Sequence, residues 1–101
     1  MPITLIYTTH PNLKAAKKVA QHLLKKKLIA CANFFPIESM YDWKNKIRNE
    51  KETVALLKTS NKNWQKVRAE ILKIHPCKTP CILKFSAEAN KTYADWIKSK
   101  L

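Results

Sequence analysis

ACANFFPIESMYDWKNKIRNEKETVALLKTS, residues 30–60, reads as one long antiparallel hairpin turning at Lys44-Asn45. Along Ile37–Lys44, Ser39, Tyr41 and Trp43 fall on one side and Glu38, Met40 and Asp42 on the other, the period-two signature of a strand. Thr53 to Thr59 is more uniformly apolar, the pattern of a central strand covered on both faces. The chain contains no glycine, so Asn45, which tolerates left-handed backbone, is the best turn residue it has. The arms, Ile37–Lys44 and Ile47–Thr59, outrun the other strand segments, Ile3–Thr9 and Cys81–Ala87. At about 3.3 Å per residue the hairpin should overhang its sheet by roughly 10–20 Å. A bare two-stranded ribbon carrying Tyr41 and Trp43 is marginal in water, so both aromatics are expected at an interface, most simply with further copies of the chain.

On the N-terminal side, Ile3–Thr9 alternates Ile3, Leu5, Tyr7 against Thr4, Ile6, Thr8 and predicts a first strand. Pro11 ends it and Asn12 supplies an N-cap. Ala16, Val19, Ala20, Leu23 and Leu24 then recur at helical spacing, with His22 on the outward face. Leu28–Phe35 leads into the hairpin, and Pro36, lacking an N–H, requires a bulge or an edge position there.

On the C-terminal side, Ser60 or Asn61 is placed to cap a second helix whose Trp64, Val67, Ile71 and Ile74 form its apolar stripe and which stops before Pro76. A fourth strand, Cys81–Ala87, and a short last helix capped by Asn90 and burying Tyr93, Trp96 and Ile97 complete the chain. The order βαββαβ plus a C-terminal helix predicts a single α+β domain, residues 1–101. Right-handed crossovers set the first and third strands side by side in a ferredoxin-like antiparallel sheet with helices on one face.

Composition narrows the role. No apolar run is long enough to cross a membrane and the N-terminus lacks the pattern of a secretory leader, so a cytoplasmic location is expected. There Cys31, Cys77 and Cys81 are expected as thiols, Cys31 in the core. Net charge is +13, yet 18 of the 20 basic residues are lysine. Lysines without interleaved aromatics or arginines solvate a surface and bind nucleic acid only non-specifically. A glycine-free chain cannot build a phosphate-cradling glycine loop, and no serine, histidine and acid grouping points to a triad; an enzyme is not expected.

His75, Cys77 and Cys81 put three metal-ligand types within seven residues, with Lys78 between the thiols to favour thiolate. The spacing is not a CxxC pair and offers no fourth ligand, and the alternative is that His75 caps the second helix while the thiols pack as small apolar groups. His10, before Pro11, reads as a loop residue, though it ends the first strand, and with water or a neighbouring subunit it is a source for a fourth ligand.

Five motifs in order resemble the CutA family of divalent-ion tolerance proteins. They are Ala30-Cys31-Ala32-Asn33 followed by Pro36, then Ser39-x-Tyr41-x-Trp43, Lys58-Thr59-Ser60, His75-Pro76 with Pro80, and Tyr93-x-x-Trp96. The resemblance runs from about Ile3 to Leu101. It implies a ferredoxin-like subunit in a compact homotrimer whose hairpins pair between neighbours, and an association with copper and other divalent metals rather than a reaction. Thr8 stands where copper-binding members carry a cysteine. His75 keeps the family's histidine at the end of the second helix, and Cys77 and Cys81 replace its usual tyrosine and glutamate, making the loop softer. The expectation is a non-enzymatic homotrimer of metal-ion tolerance binding copper or another soft or divalent ion through His75, Cys77 and Cys81, with no organic cofactor. Its alternatives are a basic nucleic-acid-associated module or a small-molecule sensor.

Overall fold

The structure, a computed structural model, describes residues 1–101. Its elements are β1 (Pro2–His10), α1 (Leu13–Lys25), β2 (Cys31–Trp43), β3 (Lys46–Thr59), α2 (Trp64–Ile74), β4 (Ile82–Glu88) and α3 (Lys91–Ser99), with a single 3₁₀ turn, Asn61–Asn63, leading into α2. The sheet order is β2-β3-β1-β4 and every pairing is antiparallel, the predicted ferredoxin-like arrangement.

The hairpin folds where expected. Lys44 and Asn45 have φ of 53° and 64°, which makes a two-residue turn of the primed type whose twist matches the flanking strands. The β2–β3 register then runs unbroken from Trp43↔Lys46 to Cys31↔Lys58, passing straight through Pro36↔Thr53. No bulge is needed, because β2 is an edge strand and the missing N–H of Pro36 faces no ladder partner. β1 pairs with β3 only from Thr53 to Thr59, so the seven residues Lys46–Glu52 pair with β2 alone. That projection is about 23 Å long, slightly more than expected, since both arms are longer than the alternation showed. It stretches the molecule to 46 × 24 × 21 Å.

Two apolar clusters hold the sheet. Ile6, Ala55 and Leu57 pack with Ala16, Val19, Ala20 and Leu23 of α1 and with Val67 and Ile71 of α2. Ile3 and Leu5, of opposite strand parity to Ile6, pack with Ala30, Ala94 and Ile97 instead. The third helix therefore covers the opposite face of the sheet from α1 and α2, a correction to the expectation of helices on one face. Its buried stripe is Ala94 and Ile97, whereas Trp96 is 41% exposed and stacks beside Tyr93 at 5.9 Å. Trp96 thus belongs to the helix flank rather than to the core as predicted: the buried stripe runs through Ala94 and Ile97, and Trp96 lies one position round the helix from it.

The caps divide in the same way. Asn12 is a true N-cap, its Oδ1 accepting from Ala15 N–H at 2.8 Å. Ser60 stands at the cap position of the 3₁₀ turn, yet its hydroxyl makes no capping bond, since the N–H of Asn63 is taken by the Ser60 carbonyl at 3.0 Å. Asn90 likewise spends its side chain on Thr92 Oγ1 at 2.9 Å. At the other end of α1 the chain makes a complete Schellman motif without glycine. Leu28 N–H bonds Leu23 O and Lys27 N–H bonds Leu24 O, both at 3.0 Å, with Lys27 at φ 58°.

Leu23 and Leu24 distinguish this packing from one rotated by a residue. Leu23 is fully buried while Leu24 is 43% exposed. Leu23→Ala should destabilise by about 2–5 kcal/mol and Leu24→Ala by less than about 1 kcal/mol in denaturant titrations. Equal losses would show that α1 presents a different face.

Candidate functional site

Strand alternation carries the hairpin's aromatics to one side. Ile37, Ser39, Tyr41 and Trp43 of β2 share a face with Glu52, Glu50 and Arg48 of β3, their register partners. This face forms one wall of a cleft of about 600 Å³, and the His75–Cys81 segment forms the other, with Tyr7 and Thr9 of β1 at its floor. The three predicted ligands, His75, Cys77 and Cys81, therefore line one cleft together with the two predicted interface aromatics, Tyr41 and Trp43, which are 40% and 54% exposed. Arg48 and Glu52 complete the wall. Neither belongs to a motif; the signal that could have found them is their register opposite Tyr41 and Ile37.

The His75–Cys81 segment is anchored by its histidine. His75 N–H bonds Ile71 O at 2.8 Å and closes α2, as a capping residue would. Its Nε2 lies 2.8 Å from Thr9 O, a group that only accepts, so Nε2 carries the proton and donates. Nδ1 then holds a lone pair, which accepts from Cys77 N–H at 3.1 Å. Both ring nitrogens are engaged in docking the loop onto β1. The thiols are freer, Cys77 being exposed and Cys81 partly buried. Lys78 was expected to favour thiolate, but the Cys81 thiol is pushed up instead, first by burial and then by the Glu52 carboxylate that the hairpin brings to it. No three His, Cys, Asp or Glu side chains converge on a point where one ion could be held.

His10 ends the first strand as expected, but as a paired strand residue rather than part of the loop. It is the last residue of β1, fully buried, with its ring 5.0 Å from that of His75. Its Nε2 is 2.7 Å from Thr8 Oγ1, which itself donates to Ala55 O at 3.2 Å. With that single hydroxyl proton spent on the carbonyl, Thr8 accepts from His10 Nε2–H, and Nδ1 is left as a buried acceptor without a partner. Burial, with His75 adding repulsion, lowers the His10 pKa to about 4. His22, by contrast, turns to the surface ion network of α2 and lies 3.5 Å from Glu70 Oε2.

His10 yields a pH prediction with a definite sign. An imidazole of pKa 6.5 unfolded and about 4 folded makes the unfolded chain bind more protons between those values. Stability contributed by neutral His10 is full above pH 6.5 and is lost as pH falls toward 4, by up to about 3 kcal/mol. Thermal melts across that window should show a steeper loss for the parent than for His10→Gln. Parallel curves would contradict the assignment.

Comparison with known proteins follows the same outline. Residues 4–100 match the family model of the CutA1 divalent ion tolerance protein. The divalent-cation tolerance protein CutA of Thermococcus kodakarensis is 38% identical over 98 residues, covering 96% of this chain and 94% of that protein. That of Archaeoglobus fulgidus is 41% identical over 93 residues, 91% of each. Among solved structures, divalent ion tolerance protein CutA1 from Ehrlichia chaffeensis superposes with a TM-score of 0.94 at 39% identity, covering 97% of this chain and 94% of that one. The Archaeoglobus fulgidus protein, described as periplasmic, superposes at 0.92 and 39% identity over 99% and 98% of the two chains.

Proposed function

Because the chain belongs to the CutA1 family of divalent ion tolerance proteins, we propose that it acts by binding, as a homotrimer that takes up a soft metal ion such as copper in the cleft beneath its hairpin. The observation that supports this reading is that Cys77, Cys81 and His75 all line one wall of that cleft, although their side chains do not converge on one point.

The donor chemistry favours a thiolate-led site. Thiolates select Cu(I) and Zn(II), and Cu(I) is satisfied by two of them, whereas structural zinc wants four ligands. Cys77 and Cys81 are the donors with free lone pairs. His75 joins them only by giving up Thr9 O or the Cys77 amide, so its first role is to hold the loop and its second to complete the set. A further ligand then comes from water or from a neighbouring subunit. Hard cations such as Mg²⁺ and Ca²⁺ want several oxygens, carboxylates above all, and Glu52 is the one carboxylate among the residues lining the cleft. Reduced thiols on an accessible cleft also fit a cytoplasmic location. Trimer formation is supported by the apolar character of the hairpin, where Met40 and Ile47 are each 72% exposed and Trp43 is 54% exposed.

Binding requires both thiols to lose protons, and the raised Cys81 pKa makes that requirement sharper. Reduced protein titrated with Cu(I) against a competing chelator should therefore bind more tightly as pH rises from 6 to 8, by at least about tenfold. Cys77→Ser/Cys81→Ser should weaken binding by about a hundredfold or more, and His75→Gln by less. Equal affinity in the double variant and the parent would place the ion elsewhere and leave the cysteines as packing groups.

A further inference from the structure

The positive charge of the chain is segregated rather than spread. Residues 13–27 and 61–74, which are α1 and α2 with the turns beside them, hold six and four basic residues and a single acid, Glu70. The projecting hairpin, residues 37–52, holds four of each sign and is neutral. Nine of the thirteen net positive charges therefore lie on the two helices that cover one face of the sheet. A lysine-rich composition by itself would have raised every element alike. Tyr7 and Thr9 at the floor of the cleft are of opposite strand parity to Ile6, so this helical layer lies across the sheet from the metal reading's site and does not depend on it.

Helical spacing sorts these charges into rows. Lys14, Lys18 and Lys25 fall within about 40° of one another around α1, opposite the buried Ala16, Val19, Ala20 and Leu23, and span about 16 Å. Lys66 and Lys73, seven residues apart, share the side of α2 that meets α1. With Lys26 and Glu70 they line a shallow trough of about 430 Å³ between the helices. Glu70 is spent within this layer, taking Lys26 at 3.0 Å and, more loosely, His22 at 3.5 Å and Lys73 at 3.8 Å. Lys14, Lys18, Lys25 and Lys66 are left without an acidic partner. Two rows of like charge on helices about 8–10 Å apart repel each other, and an external polyanion would relieve that repulsion.

We propose that the α1–α2 face binds the phosphate backbone of a nucleic-acid duplex without regard to sequence. Lysine ammoniums are point charges that suit phosphates, whereas base edges are read most often by arginine forks. The one arginine of this layer, Arg68, is bonded to Gln65 at 2.8 Å, and its one aromatic group, Trp64, is covered by Lys84. A duplex carries one phosphate charge per about 1.7 Å of axis, and its minor groove, roughly 6 Å wide, brings two strands within reach of the two rows. An anionic bilayer fits less well, because a helix lying on lipid sinks an apolar face, and that of α1 is spent on the core. Leu13 and Leu24, the exposed leucines of α1, lie about 80–140° round the helix from the lysine row.

Fluorescence anisotropy of two labelled DNA duplexes of unrelated sequence, titrated with the full chain at salt from about 50 to 200 mM, tests this. Both duplexes should bind alike, within about twofold, and five lysine contacts give a logarithmic salt slope of about −4, a loss of roughly 250-fold over that range. Lys14→Gln/Lys18→Gln/Lys25→Gln should lose at least about tenfold in affinity at the lowest salt and flatten the slope to about −2. Lys91→Gln/Lys98→Gln/Lys100→Gln removes the same number of charges from α3, across the sheet, and should change affinity by less than about twofold. Both variants replace exposed lysines by another good helix former and keep the fold. Equal losses in the two triple variants would show attraction to net charge alone and overturn the proposal. It would be overturned equally by the absence of binding at the lowest salt, by a tenfold or greater preference, about 1.4 kcal/mol, between the two duplexes, or by tighter binding to phosphatidylglycerol vesicles than to DNA at equal salt.

Discussion

The unbroken ladder between β2 and β3, from Cys31↔Lys58 to Trp43↔Lys46, is the contact on which the rest of the structure depends. Its inner half is the scaffold for β1, and through β1 for β4; its outer half has no further strand beside it. Both faces of that outer half carry apolar groups, Met40 and Ile47 on one and Trp43 and Tyr41 on the other. A two-stranded ribbon of this kind gains too little from its own cross-strand pairs to hold its shape in water. The ladder also makes the cleft, since the residues that alternate onto its inner face become the wall opposite His75, Cys77 and Cys81. An exposed apolar ribbon and a cleft beneath it are thus two consequences of one set of hydrogen bonds.

A chain without glycine must hold that ladder in register by other means. Lys27, Lys44 and Asn45 take left-handed backbone that costs an ordinary residue about 1–2 kcal/mol each. At Lys27 the cost is offset locally by the two Schellman bonds, and the carbonyl of Leu28, just beyond, is gripped from elsewhere. Thr59 Oγ1 donates to it at 2.6 Å and Asn63 Nδ2 at 3.2 Å. The end of β3 therefore fixes the start of β2, and with it the length of the arm that projects. On the opposite face Lys58 Nζ reaches Tyr93 OH at 3.1 Å and ties α3 to the same point.

What could be read from the sequence was whatever depends on near neighbours. Alternation at Ser39, Tyr41 and Trp43, the turn at Asn45 and the cap at Asn12 are local, and the structure has them where the pattern put them. Trp96 and Ser60 differ from the expectation for reasons of packing and backbone bonding: α3 turns Ala94 and Ile97 to the sheet and leaves Trp96 on its flank, and the Ser60 carbonyl takes the Asn63 N–H. The thiol of Cys81 was misjudged for the same reason, Glu52 reaching it through the hairpin from a distant part of the chain. His10 was legible in part. A residue before proline is held extended, in keeping with the first strand's end at His10, whereas the ring's place beside His75 depends on the distant end of α2.

Whether copies of the chain cover the projecting ribbon decides how the exposed hairpin persists in water. Light scattering of the full chain across a dilution series into the low micromolar range measures this directly. The proposed trimer requires a mass of three times 11.7 kDa that persists on dilution, because interfaces formed between apolar faces of this kind are large and obligate. A stable, fully folded monomer of 11.7 kDa would contradict it.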